Sequence, residues 1–246
     1  MHVSRRSGSR LLAVLVSAGF ITLLGIGVGC SEDDVVGDAT AGAVEAGLND
    51  VLNGTVEPLA SFLGAIPAIV SGGTRLPSSF LGIACPNTDG VCSGGSVVCT
   101  PSGGGTTLTF DFDQCVTVSG DQPFTLDGVV IATPGDPIFL QLNSLFIDNS
   151  GALTGTGQVS VSACSYVVSV ADPDDDGVVG TIVQCDADNY PTAASNLTIS
   201  IDDFLIDISF DGSSVAHAIA SRGGDTVALC DINLAADPLS SSCSAP

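Results

Sequence analysis

Three stretches share one pattern that restricts this chain to sheet structure. "FDFDQCVTV" (Phe110–Val118), "LQLNSLFID" (Leu140–Asp148) and "ISIDDFLID" (Ile199–Asp207) each alternate apolar and polar residues, insert a polar pair, then alternate again with the parity shifted by one. Side chains on a strand point to opposite faces in turn, so one extra residue sends the apolar set to the wrong face unless the strand bulges there. Asp113-Gln114, Asn143-Ser144 and Asp202-Asp203 are therefore expected bulges that bend a sheet. A matching Leu-x-Gly opens the following run at Leu126-Asp127-Gly128 and at Leu153-Thr154-Gly155. These phrases read as a degenerate repeat of about thirty residues, two strands each, laid down as an antiparallel meander over residues 106–246.

The region before the repeat has a different period. Val44, Leu48, Val51, Leu52, Leu59, Phe62, Leu63 and Ile66 recur at steps of three and four, which predicts helix over 38–71. Asp38 suits the first N-cap. Asn53-Gly54 suits a stop, Thr55 suits a second cap with Pro58 in its first turn, and Pro67 and Ser71-Gly72-Gly73 suit the end. The expectation is a pair of core-packing helices. Residues 82–105, rich in cysteine and glycine, are expected to be an irregular stapled segment. The fold class is mainly β with an α component (α+β): a helix pair packed on a curved antiparallel meander or partly open barrel, with a β-sandwich as the alternative.

The N-terminus carries an address. Arg5, Arg6 and Arg10 precede an uncharged apolar run from Leu11 to Val28, and Gly27-Val28-Gly29-Cys30 closes it. A positive start, an apolar run and small residues ahead of a cysteine resemble the signal of bacterial lipoproteins. The resemblance covers residues 1–34. It implies a signal peptide at 1–29 and lipid on Cys30; the acidic residues that follow read as a tether over 30–37, and the length of the remainder as one domain at 38–246. The resemblance also implies attachment to a membrane through that lipid, in the bacterial cell envelope and most simply at the outer membrane.

Cysteine usage agrees. Nine cysteines become an even eight once Cys30 is set aside, as expected of a disulfide framework in an oxidising compartment. Charge is lopsided: past Cys30 only Arg75 and Arg222 stand against 27 acids, and lysine is absent. Such a surface repels nucleic acid and invites cations.

The densest acidic stretch, "ADPDDDGVVG" (Ala171–Gly180), sits between "CSYVVSV" and "VVGTIVQC". Folding the chain midway between Asp174 and Asp175 opposes Cys164 to Cys185, Tyr166 to Val183, Val168 to Thr181 and Val170 to Val179. The expectation is a hairpin closed by a Cys164–Cys185 disulfide, with the aspartates at its tip. Asp172, Asp174, Asp176 and Gly177 match the first half of an EF-hand calcium loop. The match stops at Val183, where a bidentate glutamate belongs. Further ligands would come from Asp186 and Asp188. Two readings stay open, a weak structural Ca²⁺ site and a solvated turn, since the proline and glycine suit a turn alone.

Catalytic patterns are weak. His217 is the one histidine past Cys30, and its spacing from Asp211 and Ser213 does not describe a nucleophile with its base. "PSGGGTT" lacks the lysine of a phosphate loop. With no tryptophan and two tyrosines, the chain is poorly equipped with sugar-stacking platforms. The expected role is non-enzymatic: structural, adhesive or binding, with a carrier of an apolar ligand, held in a pocket between the curved sheet and the helices, as the alternative. The protein or apolar partner is not named by the sequence.

Overall fold

Past Gly94 the chain lays down twelve strands, and each pairs only with its neighbours in sequence. The computed structural model describes residues 32–71, 85–119, 122–148, 151–160, 162–171, 176–184 and 190–246. The expected signal peptide and Cys30 lie outside these residues. The strands are β1 (Gly94–Ser102), β2 (Thr107–Ser119), β3 (Gln122–Thr133), β4 (Ile138–Ile147), β5 (Leu153–Ser160), β6 (Ser165–Ala171), β7 (Gly177–Val183), β8 (Asn196–Ile201), β9 (Phe204–Ser209), β10 (Val215–Arg222), β11 (Asp225–Asn233) and β12 (Ser240–Ser244). They form one open antiparallel sheet in sequence order, so the meander holds and the sandwich does not. β1 lies inside the stretch expected to be irregular.

Two of the three polar pairs bulge. Asp113 and Gln114 together oppose Asp127, and Asn143 and Ser144 oppose Thr154. Gln114 and Ser144 take φ of 48° and 52°. The bulge is tied by side chains from the opposing strand: Gln114 Nε2 donates to Asp127 Oδ2, and Thr154 Oγ1 accepts the Ser144 N–H at 3.4 Å. Gly128 explains the Leu-x-Gly signal. It sits against the β4 bulge, where a Cβ would lie 2.3 Å from the Ser144 carbonyl oxygen.

The third pair corrects the expectation. Asp202 and Asp203 are not a bulge but a two-residue turn, with Ile201 paired to Phe204 across the β8–β9 hairpin. Either device resets the parity. Phe110, Phe112 and Cys115 are buried around the bulge just as Ile199, Ile201 and Ile206 are around the turn. The apolar pattern therefore cannot distinguish a bent strand from a reversal.

The helical region also differs. α1 (Glu32–Val51) begins inside the stretch expected to be a tether, and α2 spans Glu57–Ser71. Between them the chain stays helical through one π turn, Leu52–Val56, closed by the Glu57 N–H on the Leu52 carbonyl. Asn53-Gly54 widens the helix instead of ending it. Pro58 supplies the reason, for it has no N–H to give Gly54 and its ring crowds that carbonyl in α geometry.

All eight apolar residues of the helical stripe are buried. α2 packs against β2, β3, β4 and β5, whereas α1 packs against β11 and β12. The two walls differ in side-chain size. Under α2 stand Phe110, Phe112, Leu126 and Leu142; on β10 and β11 the buried residues include Ala216, Ala218, Ala220 and Ala228. The small residues give α1 room near the sheet's last strands.

There α1 does what a further strand would do. Glu45 Oε2 accepts the Cys243 N–H at 2.8 Å, and Asn49 Oδ1 accepts both the N–H and the hydroxyl of Ser241, at 2.7 and 3.0 Å. Asn53 Nδ2 donates to the Leu239 carbonyl at 2.9 Å. Residues 45, 49 and 53 lie one turn apart on one helix face. They meet alternate backbone groups of β12 and its approach, satisfying an edge that would otherwise invite another strand.

Three disulfides, Cys85–Cys99, Cys92–Cys115 and Cys230–Cys243, staple the two margins of the sheet. They mark an exported protein. Among the described residues no helix is long and apolar enough to cross a membrane.

Candidate functional site: an apolar cleft under the π turn

Because α1 and α2 lean toward opposite margins, the middle of the concave face is left incompletely filled. A cleft of about 360 Å³ opens there. Its floor is the inward set of the middle strands, with Ile182 on β7, Leu197 on β8, Ile208 on β9 and Ile232 on β11. Its roof is Leu52, Val56 and Ala60, the flank of the π turn and the start of α2. A smaller space of about 40 Å³ continues past Leu59 and Leu63 toward Tyr166 and Val168. Burial holds the Tyr166 phenol above its usual range.

The mouth is built by connections at one end of the sheet. In a meander every second connection falls at the same end, which brings together Tyr190 and Pro191 after β7, Phe210 after β9, and Leu234 and Leu239 after β11. Backbone bonds fix them. The Gly212 N–H donates to the Pro191 carbonyl at 3.0 Å and the Thr192 N–H to that of Val183 at 2.9 Å. Buried Ser195 adds its hydroxyl, which accepts the Val183 N–H at 2.8 Å.

The lining is apolar except at its rim, where Glu57, Ser61 and Gln184 stand. Glu57 and Ser61 also border a second, polar groove of about 690 Å³, lined by Asn53, Gln114, Asp148 and Asp237. Partial burial, then the charge of Asp237, hold the Glu57 carboxyl above its usual range.

The aspartate hairpin lies elsewhere, and its register is one residue from expectation. Tyr166 pairs with Ile182, Val168 with Gly180 and Val170 with Val178, not with Val183, Thr181 and Val179. Directly opposed residues share a face. Val170 and Val178 are 5% and 3% exposed, while Val179 is 53% exposed. The "VVGTIV" run has apolar residues at both parities, so the sequence alone left this ambiguous. Past the ladder, the Gln184 N–H donates to the Cys164 carbonyl at 3.0 Å. Cys185 falls outside the described residues, and the expected Cys164–Cys185 bridge with it.

Asp176 leads into β7, and its Oδ1 accepts the Asp202 N–H at 3.4 Å, joining the hairpin to the β8–β9 turn. Asp172, Asp174, Asp186 and Asp188 fall outside the described residues. Asp176 and Gln184 flank opposite ends of β7, about 25 Å apart at ordinary strand rise. Among the described residues no group of three or more His, Cys, Asp or Glu is placed to hold a metal ion.

His217 is occupied on the outer face, its Nδ1 lying 2.7 Å from Asp231 Oδ1. Ser213 donates its hydroxyl to the Val215 carbonyl and its N–H to Asp211 Oδ1. The bonds from Ser213 hold the Asp211 carboxyl below its usual range. Serine, histidine and aspartate thus serve separate backbone and surface contacts.

The sequence reading offered a pocket between sheet and helices as its alternative but did not name its lining, and it missed the Glu45–Asn49–Asn53 ladder. The ladder did leave a signal, polar residues at steps of four beside an apolar stripe. The lining of the cleft left none, because its residues resemble any other core.

Fold and cleft together define a class by architecture: a curled antiparallel meander with a helical segment along its concave face and an apolar cleft beneath. No family model matches the chain, and no curated protein or solved structure matches it.

Proposed function

We propose that this protein is a non-enzymatic, lipid-anchored binding domain of the cell envelope that holds a small apolar ligand in the cleft. The observation that supports this reading is the cleft itself. Its 360 Å³ lies within the range of about 300–1,000 Å³ for small-molecule sites, and its apolar lining with a few polar groups at the rim suits such a ligand. A purely structural or adhesive role would have no use for an unfilled apolar space of this size beneath the helical segment. Attachment through Cys30 rests on the signal-like N-terminus. The disulfides agree with export.

Residues 32–246, which form one compact unit, provide the test. N-phenyl-1-naphthylamine, a neutral dye that brightens in apolar surroundings, should bind the oxidised domain saturably at one site. Ala60→Trp, which fills the roof, should abolish binding while leaving the circular dichroism spectrum unchanged. Absence of saturable binding, or full binding by Ala60→Trp, would contradict the proposal.

A further inference from the structure

The groups at the rim restrict which apolar ligand can enter. Among the described residues Glu57 is the one acid bordering the cleft, and it is shared with the polar groove. The groove adds Asp148 and Asp237, and no basic side chain among the described residues lines either space. Among the described residues the basic side chains are His217 and Arg222. His217 faces Asp231, and Arg222 bonds Asp203 through Nε at 2.7 Å, both away from the cleft. Asn53, also lining the groove, has a buried Oδ1 with no hydrogen-bond partner. Its Nδ2 donates to the Asn49 and Leu239 carbonyls, which fixes the amide with its acceptor unpaired. Each of these groups accepts hydrogen bonds or attracts positive charge. Ser61 and Gln184 at the rim also carry donors, but neither is charged, and uncharged donors offset little of the desolvation of a carboxylate or phosphate.

We infer that the ligand is a free single-chain amphiphile with a positively charged, hydrogen-bond-donating head, whose chain lies in the apolar cleft and whose head lies at Glu57 facing the acidic groove. This rests on the binding role proposed above and names the ligand class for the same cleft. The volume is near the small end of ligand sites, which suits one chain and not a two-chain lipid. Ser61, one turn beyond Glu57, keeps the ridge between the two spaces low.

Competition against N-phenyl-1-naphthylamine tests the inference. Dodecylammonium, dodecanol and dodecanoate are compared on the oxidised domain at pH 7 and 0.15 M salt, each below its micellar concentration. Dodecylammonium should bind about tenfold or more tighter than dodecanoate, the size of one charge-assisted hydrogen bond, with dodecanol between them. Glu57→Gln should shrink that preference to about threefold or less while leaving dodecanol affinity unchanged. Asp225→Asn, an equal change of net charge on a distant exposed turn, should preserve the full preference. Equal or tighter binding of dodecanoate overturns the inference but leaves the binding role standing. So does an ammonium preference that Glu57→Gln fails to reduce. If none of the three chains displaces the dye, the binding role falls and the inference with it.

Discussion

The sheet's two halves solve one problem differently. On β2–β5, large inward residues meet α2 directly, with Phe62, Phe110 and Leu142 almost wholly buried. On β7–β11 the inward residues are as apolar, but the helical segment passes over them at the π turn and leaves the cleft. The first half behaves as a core. The second has the wall of a core with part of its filling absent. Burial alone does not distinguish them: Leu142 is 0% exposed and Leu197 3%. What differs is whether the atoms opposite belong to the chain.

Truncation in the packed half should have the largest effect. Phe62→Ala should cost about 3–5 kcal/mol, since α2 and β2–β5 close around that ring. A loss of unfolding free energy in urea of less than half of that would mean the helix is loosely seated and the two halves are alike.

Next comes the edge ladder. Asn49→Ala strands the Ser241 N–H and hydroxyl and should cost about 1–3 kcal/mol. Asn49→Asp keeps the acceptor and should recover most of the loss. Hydrogen exchange at Ser241 and Cys243 should quicken in Asn49→Ala while β4 amides stay protected. Uniform quickening would show that the ladder is no separate element.

A smaller effect concerns the aspartate hairpin. If it holds Ca²⁺, the melting temperature should rise saturably by a few degrees, about 1 kcal/mol at this size, at fixed ionic strength. Asp174→Asn with Asp176→Asn should remove the rise. A response no larger than that to matched sodium would leave the stretch a solvated turn.

The smallest effect is electrostatic. The Glu57 carboxyl is held above its usual range, so the folded state binds that proton more tightly than the unfolded chain does. Its ionised form therefore costs stability above the folded pKa, and that cost fades as pH falls below the unfolded value of about 4.3. Glu57→Gln should stabilise slightly at pH 7 and not at pH 3.5, the gain kept small by solvent screening. A loss of stability at pH 7 would mean that Glu57 gains from a partner instead of being repelled.

Much of the fold was legible in the sequence. The period-two runs located β2, β4, β8 and β9, and the three- and four-residue steps located the buried helix face. What could not be read follows from how local the pattern is. Asp113-Gln114 and Asp202-Asp203 reset the parity alike, and only pairing partners distinguish bulge from turn. Val178 and Val179 are chemically the same, and the hairpin's register depends on which of them the rest of the core takes in. Asn53-Gly54 carries the signs of a helix stop, but Leu52, Val56 and Leu59 gain more by staying helical and packed. A pocket between sheet and helices could be anticipated from the curved architecture, but its lining could not, because a cavity is a property of what faces a residue.

The most direct test of the two-halves account is one enlargement made in each. Leu142→Phe and Leu197→Phe add the same atoms at two buried positions, and urea unfolding of the oxidised domain reads the difference. The account predicts that Leu142→Phe costs about 1–3 kcal/mol through overpacking, while Leu197→Phe is neutral or stabilising because the added ring enters the cleft. Equal losses at both sites would show that the space beneath the π turn is closed in solution, and would contradict the account.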